Sequence, residues 1–139
     1  MLNERQILGQ TGEELAADYL MKNGYRILHR NWNLHRGCEL DIVAFKDNKL
    51  HFVEVKTRHK SYNMIGGKPE EAVNYQKMQH ICRAINYYMS YFHYSCDFVI
   101  DVVGIVYRSD DDFDLNFLED IRVPMGHVYY SNTGKRYHR

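Results

Sequence analysis

Neither sign of charge predominates in this chain, whose 18 Lys and Arg are matched by 18 Asp and Glu. It therefore lacks the global basic field that would pull a protein onto nucleic acid, and any such binding must come from local patches. Cysteine is scarce too. Cys38, Cys82 and Cys96 are odd in number and form no Cys-x-x-Cys pair, which argues against both a disulfide framework and a zinc site and indicates a reducing compartment. The N-terminus Met-Leu-Asn-Glu-Arg-Gln lacks the basic-then-apolar order of a signal peptide, and no apolar run approaches the ~20 residues of a membrane span. These absences predict a cytoplasmic protein with no membrane partner. No internal repeat, linker or low-complexity segment divides the chain, and 139 residues suffice for one domain with a real core. We place that domain at 1–124, followed by a C-terminal tail, 125–139, in which frayed structure is expected despite a basic and aromatic content that would suit nucleic acid.

What the sequence does contain is an unusual hairpin. From Glu39 to Arg58 two alternating runs flank the turn Lys46-Asp47-Asn48-Lys49, and Asp and Asn tolerate the left-handed backbone that tight hairpin turns need. A two-residue loop at Asp47-Asn48 sets Phe45 opposite Leu50, Val43 opposite Phe52, Asp41 opposite Glu54 and Glu39 opposite Lys56. One sheet face then carries all four charges. Directly opposed carboxylates sit roughly 5 Å apart at Cβ and repel unless a cation lies between them. Hard divalent ions take such oxygen ligands and keep several waters, while a neighbouring Lys can orient a metal-bound water. Asp41, Glu54 and Lys56 would thus suit metal-assisted phosphodiester hydrolysis. A hairpin's solvated face is also charged, so the hairpin alone does not decide.

The rest of the chain frames that hairpin. Asn3 to Asn23 reads as a helix with Asn3 as N-cap and Gly24 as its stop, and its two inner glycines predict close packing on something flat. Glu13 falls at the edge of the apolar face, either a solvated boundary residue or a group that reaches the sheet. Tyr25 to Trp32 is predicted as a first strand and Asn33 to Gly37 as a loop, in which His35 is polar surface sooner than a ligand. His59 to Lys68 shows no periodicity; leaving directly from the Glu54 strand, it would bring Arg58, Lys60 and Lys68 toward the carboxylates as phosphate contacts. Pro69 to Phe92 is predicted as the second helix, with Lys77 flanking its apolar stripe and able to face a bound backbone. Asp97 to Tyr107 reads as a strand buried on both faces, with Asp101 an unexplained carboxylate inside it. The acidic run from Asp110 to Asp114 lacks the Gly and Glu of a calcium loop and reads as a solvated turn, before a short edge strand at Phe117 to Val123.

Taken together, Gly9-x-x-Gly12-Glu13, Gly24-Tyr25, Asn31, Glu39-Leu40-Asp41-Ile42, Phe52-Val53-Glu54-Val55-Lys56-Thr57-Arg58, Pro69-Glu70-Glu71-Ala72-Val73 with Lys77, and Asp101-Val102 closely resemble the YraN-like family. That is a group of small bacterial proteins placed in the PD-(D/E)XK nuclease superfamily. The resemblance spans roughly residues 9 to 105. It implies an α/β fold with a restriction endonuclease-like core, a mixed central sheet flanked by helices in the order α-β-β-β-α-β, similar in plan to archaeal Holliday junction resolvases. It also implies roles: Asp41 and Glu54 as ligands of Mg²⁺ or Mn²⁺, Lys56 positioning the attacking water, and Glu13 completing the catalytic set. Cys38 intervenes between Gly37 and the Glu-Leu-Asp motif, and Val99-Ile100 replaces the Arg-Phe that precedes the late Asp in the family. Related resolvases work as dimers, so the resemblance allows a homodimer.

The leading expectation is a metal-dependent nuclease acting on DNA, in particular branched or damaged DNA. The alternatives are a non-catalytic nucleic-acid-binding module using Arg58, Lys60, Lys68 and Lys77, and a protein-interaction adaptor favoured by the zero net charge and the tyrosine-rich second helix.

Overall fold

A computed structural model of the chain describes residues 1–35, 37–60 and 74–121, and the backbone of 128–130 and 136–138. Helix α1 spans Glu4–Lys22. Asn3 caps it reciprocally: its side chain accepts from the Gln6 N–H at 2.8 Å, and the Gln6 side chain accepts from the Asn3 N–H at 3.0 Å. Gly24 ends the helix at φ +87, a left-handed backbone that glycine adopts without strain. Three strands follow, β1 Arg26–His35, β2 Cys38–Lys46 and β3 Lys49–His59. Helix α2, Tyr75–Tyr91, then crosses to β4, Asp97–Ser109, which turns into β5, Asp112–Leu118.

The five strands form one sheet in the order β1-β2-β3-β4-β5. Every neighbouring pair is antiparallel except β3 and β4, which run parallel because α2 carries the chain back across the sheet. This is a mixed α/β fold of the restriction endonuclease-like kind, with one strand more than the order implied by the resemblance. A short two-stranded ladder, β6 Val128–Tyr130 with β7 Arg136–His138, lies outside that sheet.

Three boundaries depart from the sequence reading. Strand β1 continues through Asn33 and Leu34 to His35, because β2 pairs with it that far and the turn is confined to the residues before Cys38. Helix α2 is described from Tyr75, with Asn74 extended and its side chain accepting from the Lys77 N–H at 2.9 Å; Pro69, expected at the helix start, lies outside the described residues. The edge strand is β5 and not Phe117 to Val123. Its acidic start is held by Arg108, whose guanidinium reaches Asp112 at 2.9 Å and Asp114 at 3.1 Å.

The hairpin register, in contrast, is the expected one. Asp47 and Asn48 both take positive φ, and Phe45 faces Leu50 while Val43 faces Phe52. Beneath α2 the sheet packs an aromatic and aliphatic layer around Tyr88, Phe52, Leu50, Val43 and Ile81. Beneath α1 it packs Ala16, Ala17, Leu20, Val53, Val103 and Ile105. Full burial of each large aliphatic or aromatic side chain contributes about 1.5–3 kcal/mol. The charge-bearing face of the hairpin is therefore no solvated surface over most of its length: its apolar part is the floor of the α2 layer, and only its far end carries charge.

Helix α1 lies close on β3 because of one residue. A Cβ placed on Gly12 would stand 2.8 Å from the Cβ of Thr57 and collide with its hydroxyl. Gly9, the other glycine expected to permit close packing, has nothing within 4 Å. The contact at Gly12 sets the next residue, Glu13, at the sheet.

Candidate active site

Strands β2 and β3 part company at Asp41. Leu40 packs in the layer under α2 and Ile42 in the layer under α1, although residues two apart in a regular strand share a face. The alternation therefore skips at Asp41. The same irregularity runs through β1, where Arg30 and Trp32 pair with Ile42 and Leu40 and the residue between them, Asn31, has φ 51. The β2/β3 ladder ends at Ile42 and Val53. Beyond it the Asp41 carboxylate takes the place of a strand, accepting the Val55 N–H at 2.8 Å. Glu54, only 5 % exposed, meets Asp41 by a side-chain hydrogen bond.

Charge accumulates at this parting of the strands. Burial, then the neighbouring Asp41, pushes the Glu54 carboxyl up to about 8. Asp41 is also raised, by burial foremost, against the pull of the Val55 N–H and Lys77. Glu13, brought in by α1, rises to about 7, by burial and then by Asp41; a side-chain hydrogen bond from Asn31 and the charge of Arg30 oppose the rise. The Glu54 carboxyl is thus pushed toward its protonated form near neutrality, with Asp41 against it and Glu13 within the field of Asp41. Such clustering is costly in a structural role and typical of groups that bind cations or move protons.

The cation in contact is Lys77. Its Nζ stands 3.1 Å from Glu54 Oε1 with the side chain half exposed, and Glu54 raises the Lys77 pKa. Lys77, predicted as a backbone contact, stands against Glu54 in this structure. Lys56 continues β3 beyond Glu54 but is not among the groups that move either carboxyl; with Arg58 it borders a cleft beside the start of α1. Lys60 is exposed and acts on Asp114, away from Asp41. Lys68 lies outside the described residues. His35 sits in β1 with its ring 5.8 Å from that of Tyr87. Sequence reasoning missed Asn31 and Arg30 as the residues that hold Glu13; the one signal available was an Asn within a strand, the residue type that most readily adopts positive φ.

Among the described residues no three His, Cys, Asp or Glu side chains converge as a closed ligand set. Asp41 and Glu54 are the oxygen donors here that could hold a hard divalent ion with water completing its shell.

The late carboxylate, Asp101, does not belong here. It is fully buried on β4, its Oδ2 bonded to His51 Nδ1 at 2.7 Å and its Oδ1 accepting the Asp120 N–H at 2.8 Å. It ties β3, β4 and the segment after β5 together. No helix among the described residues is long and apolar enough to cross a membrane.

Residues 12–105 match the model of the uncharacterised protein family UPF0102. A UPF0102 protein of Bacteroides thetaiotaomicron is 42% identical over 121 residues, covering 87% of this chain and 96% of that protein. A UPF0102 protein of Parabacteroides distasonis is 37% identical over 113 residues, covering 81% and 89% respectively. One from Caldicellulosiruptor bescii is 44% identical over 107 residues, covering 75% and 85%. The matched span runs from the glycine that seats α1 to the end of the β4 core, and the chain belongs to UPF0102, the YraN-like family.

Proposed function

We propose that this protein is a divalent-metal-dependent nuclease of the PD-(D/E)XK type that hydrolyses phosphodiester bonds in DNA, with branched or damaged DNA as its substrate class. The observation that carries the reading is the Asp41/Glu54 pair, hydrogen-bonded at the point where β2 and β3 separate and faced by Glu13 from α1. A buried pair of carboxyls in mutual contact destabilises a fold unless something cationic is meant to sit against it.

Asp41 and Glu54 would hold Mg²⁺ or Mn²⁺, with Glu13 adding its charge beside Asp41. The ion would supply an activated water and charge stabilisation at the phosphoryl group. The chain's own residues prepare that site. The Val55 N–H orients Asp41, Asn31 and Arg30 orient Glu13, and Lys77 balances Glu54. Lys56, two residues beyond Glu54 on the same strand, is the group assigned to the attacking water.

A second reading, a nucleic-acid-binding module without cleavage, draws support from Lys77, which already neutralises Glu54 without any metal. Incubation with linear, flapped and four-way-junction DNA in Mg²⁺ and in Mn²⁺, beside Asp41→Ala and a chelated control, separates the two. Cleavage that needs both the metal and Asp41 is the expected result. Folded wild-type protein that shifts DNA in gels but cuts none of it would replace the nuclease with the binding module.

A further inference from the structure

Helix α1 carries two glycines in its interior, and the fold accounts for only one of them. Glycine is the costliest helix residue after proline, so each calls for a reason. Gly12 has its reason in the close approach of Thr57. For Gly9 the reasons internal to the protein are missing. Its backbone is helical, with α1 running on to either side, so it neither caps the helix nor takes the left-handed conformation seen at Gly24 and Gly37. Among the described residues nothing stands within 4 Å of the Cβ it lacks, so a side chain there would displace no neighbour.

Its place on the helix relates it to the carboxylates. Gly9 precedes Gly12, Glu13, Ala16 and Leu20 by three, four, seven and eleven residues, spacings that keep all five on one side of an α-helix. Gly12, Ala16 and Leu20 are buried, Glu13 is half-buried within the field of Asp41, and Gly9 is exposed. The packed side of α1 therefore leaves its cover between Glu13 and Gly9. Open space faces the helix backbone one turn, roughly 6 Å, before Glu13. On its other flank Glu13 takes a hydrogen bond from Asn31 and feels the charge of Arg30, which is exposed on β1. A strand that reaches Asp41 past Glu13 finds a cation for its phosphate on β1 and bare backbone on α1.

A position where a side chain would disturb nothing inside the protein, and which nevertheless has none, leaves room for something outside it. We propose that Gly9 is where the sugar-phosphate chain of the substrate lies against α1 as it enters the Asp41 and Glu54 site, the missing side chain allowing it to approach the helix backbone. The proposal rests on the nuclease reading for the identity of the substrate, but the contact itself requires no cleavage. A methyl group in that path holds the chain off by roughly 1 Å, a displacement that at a reacting centre can lower the rate by about a hundredfold.

The experiment compares wild type, Gly9→Ala, Gly9→Leu and Asp18→Ala, the last exposed on the opposite side of the helix. Each is followed by thermal melting in chelator, by fluorescence anisotropy on a labelled four-way DNA junction in Ca²⁺, and by cleavage in Mg²⁺ and Mn²⁺. Gly9→Ala melts about 3 °C or more above wild type, since it gains helix propensity and meets no neighbour. It nevertheless binds the junction about fivefold more weakly, and Gly9→Leu about twentyfold, as expected where added atoms fill a contact. Cleavage falls further than binding in both. Asp18→Ala also gains stability and binds no more weakly than wild type. Weaker binding by a more stable protein is an outcome that a structural role for the glycine does not produce. Gly9→Ala that melts below wild type, or Gly9→Leu that binds and cuts as wild type does, overturns the contact and leaves the nuclease standing. A wild type that binds no junction overturns the contact as well. A junction held by wild type, released by Gly9→Leu and cut by neither keeps the contact and removes the nuclease.

Discussion

Two buried carboxylate sites occupy the same sheet and have opposite characters. Asp101, on β4, is fully buried, yet both of its oxygens have one good partner, His51 and the Asp120 N–H. Glu54, on the adjacent strand and nearly as buried, meets another carboxyl and has a half-exposed lysine as its nearest cation. The first is closed by its own chain and holds three segments together. The second is left open to something from outside. A buried charge thus identifies a site through the incompleteness of its partners and not through burial itself.

The largest expected effect falls on the closed site. Asp101→Ala takes the acceptor from His51 and from the Asp120 N–H, and urea unfolding should show a loss of about 3 kcal/mol. The divalent-ion response of the folded fraction should be unchanged. A loss below about 1 kcal/mol would break the contrast and place Asp101 with the open site.

Next comes the seat of α1. Gly12→Ala drives a methyl into Thr57, costs about 2 kcal/mol, and lifts Glu13 away from Asp41. Thermal melting with and without Mg²⁺ checks both parts: the metal-free melting temperature falls, and the rise on adding Mg²⁺ shrinks with it.

The open site is sharpened by pH. In chelator, Glu54 titrates at about 8 in the folded protein against an ordinary 4.5. A raised carboxyl favours folding while it is protonated, so this contribution is complete below the ordinary value and is lost as pH rises through about 8. The metal-free protein should therefore lose stability across that window, on the order of 1 kcal/mol or more, with Glu13, raised to about 7, adding to the slope. Glu54→Gln should flatten the curve and be the more stable protein at alkaline pH. Equal slopes for the two in urea titrations would mean that Glu54 ionises freely.

The smallest effect belongs to Lys77→Met. Its ammonium is half exposed, so neutral-pH stability should change by about 1 kcal/mol or less. Without it Glu54 holds its proton more tightly, and the pH-dependent loss of stability should move to higher pH. A slope that stays in place would show that the ion pair contributes little to the carboxyl's state.

The hairpin was legible because its turn admits few geometries. Two consecutive residues that accept positive φ determine the register of everything attached to them, so Val43, Phe45, Leu50 and Phe52 face as read. The skip in alternation at Asp41 was not legible, because period two is the default and nothing in Leu40-Asp41-Ile42 departs from it. The start of α2 is capped by Asn74, a local signal that the helix's apolar stripe does not announce. Of the acidic run read as a turn, Asp110 and Asp111 form it, while Asp112 to Asp114 begin β5, where Arg108 reaches Asp112 and Asp114 across the hairpin.

By itself the sequence determined the elements that rest on neighbours: the capped first helix, the Asp47-Asn48 turn, the apolar stripe of α2, and the opposition of two carboxylates in one hairpin. Only the tertiary structure decided which partners those groups have. Lys77 meets Glu54 because α2 crosses the sheet there, Glu13 meets Asp41 because Gly12 lets α1 settle on Thr57, and His51 meets Asp101 because β3 and β4 run parallel. Turns, caps and periodicity are settled by interactions a few residues long, whereas the partner of a buried charge is chosen by packing between segments that the chain brings together only after it folds.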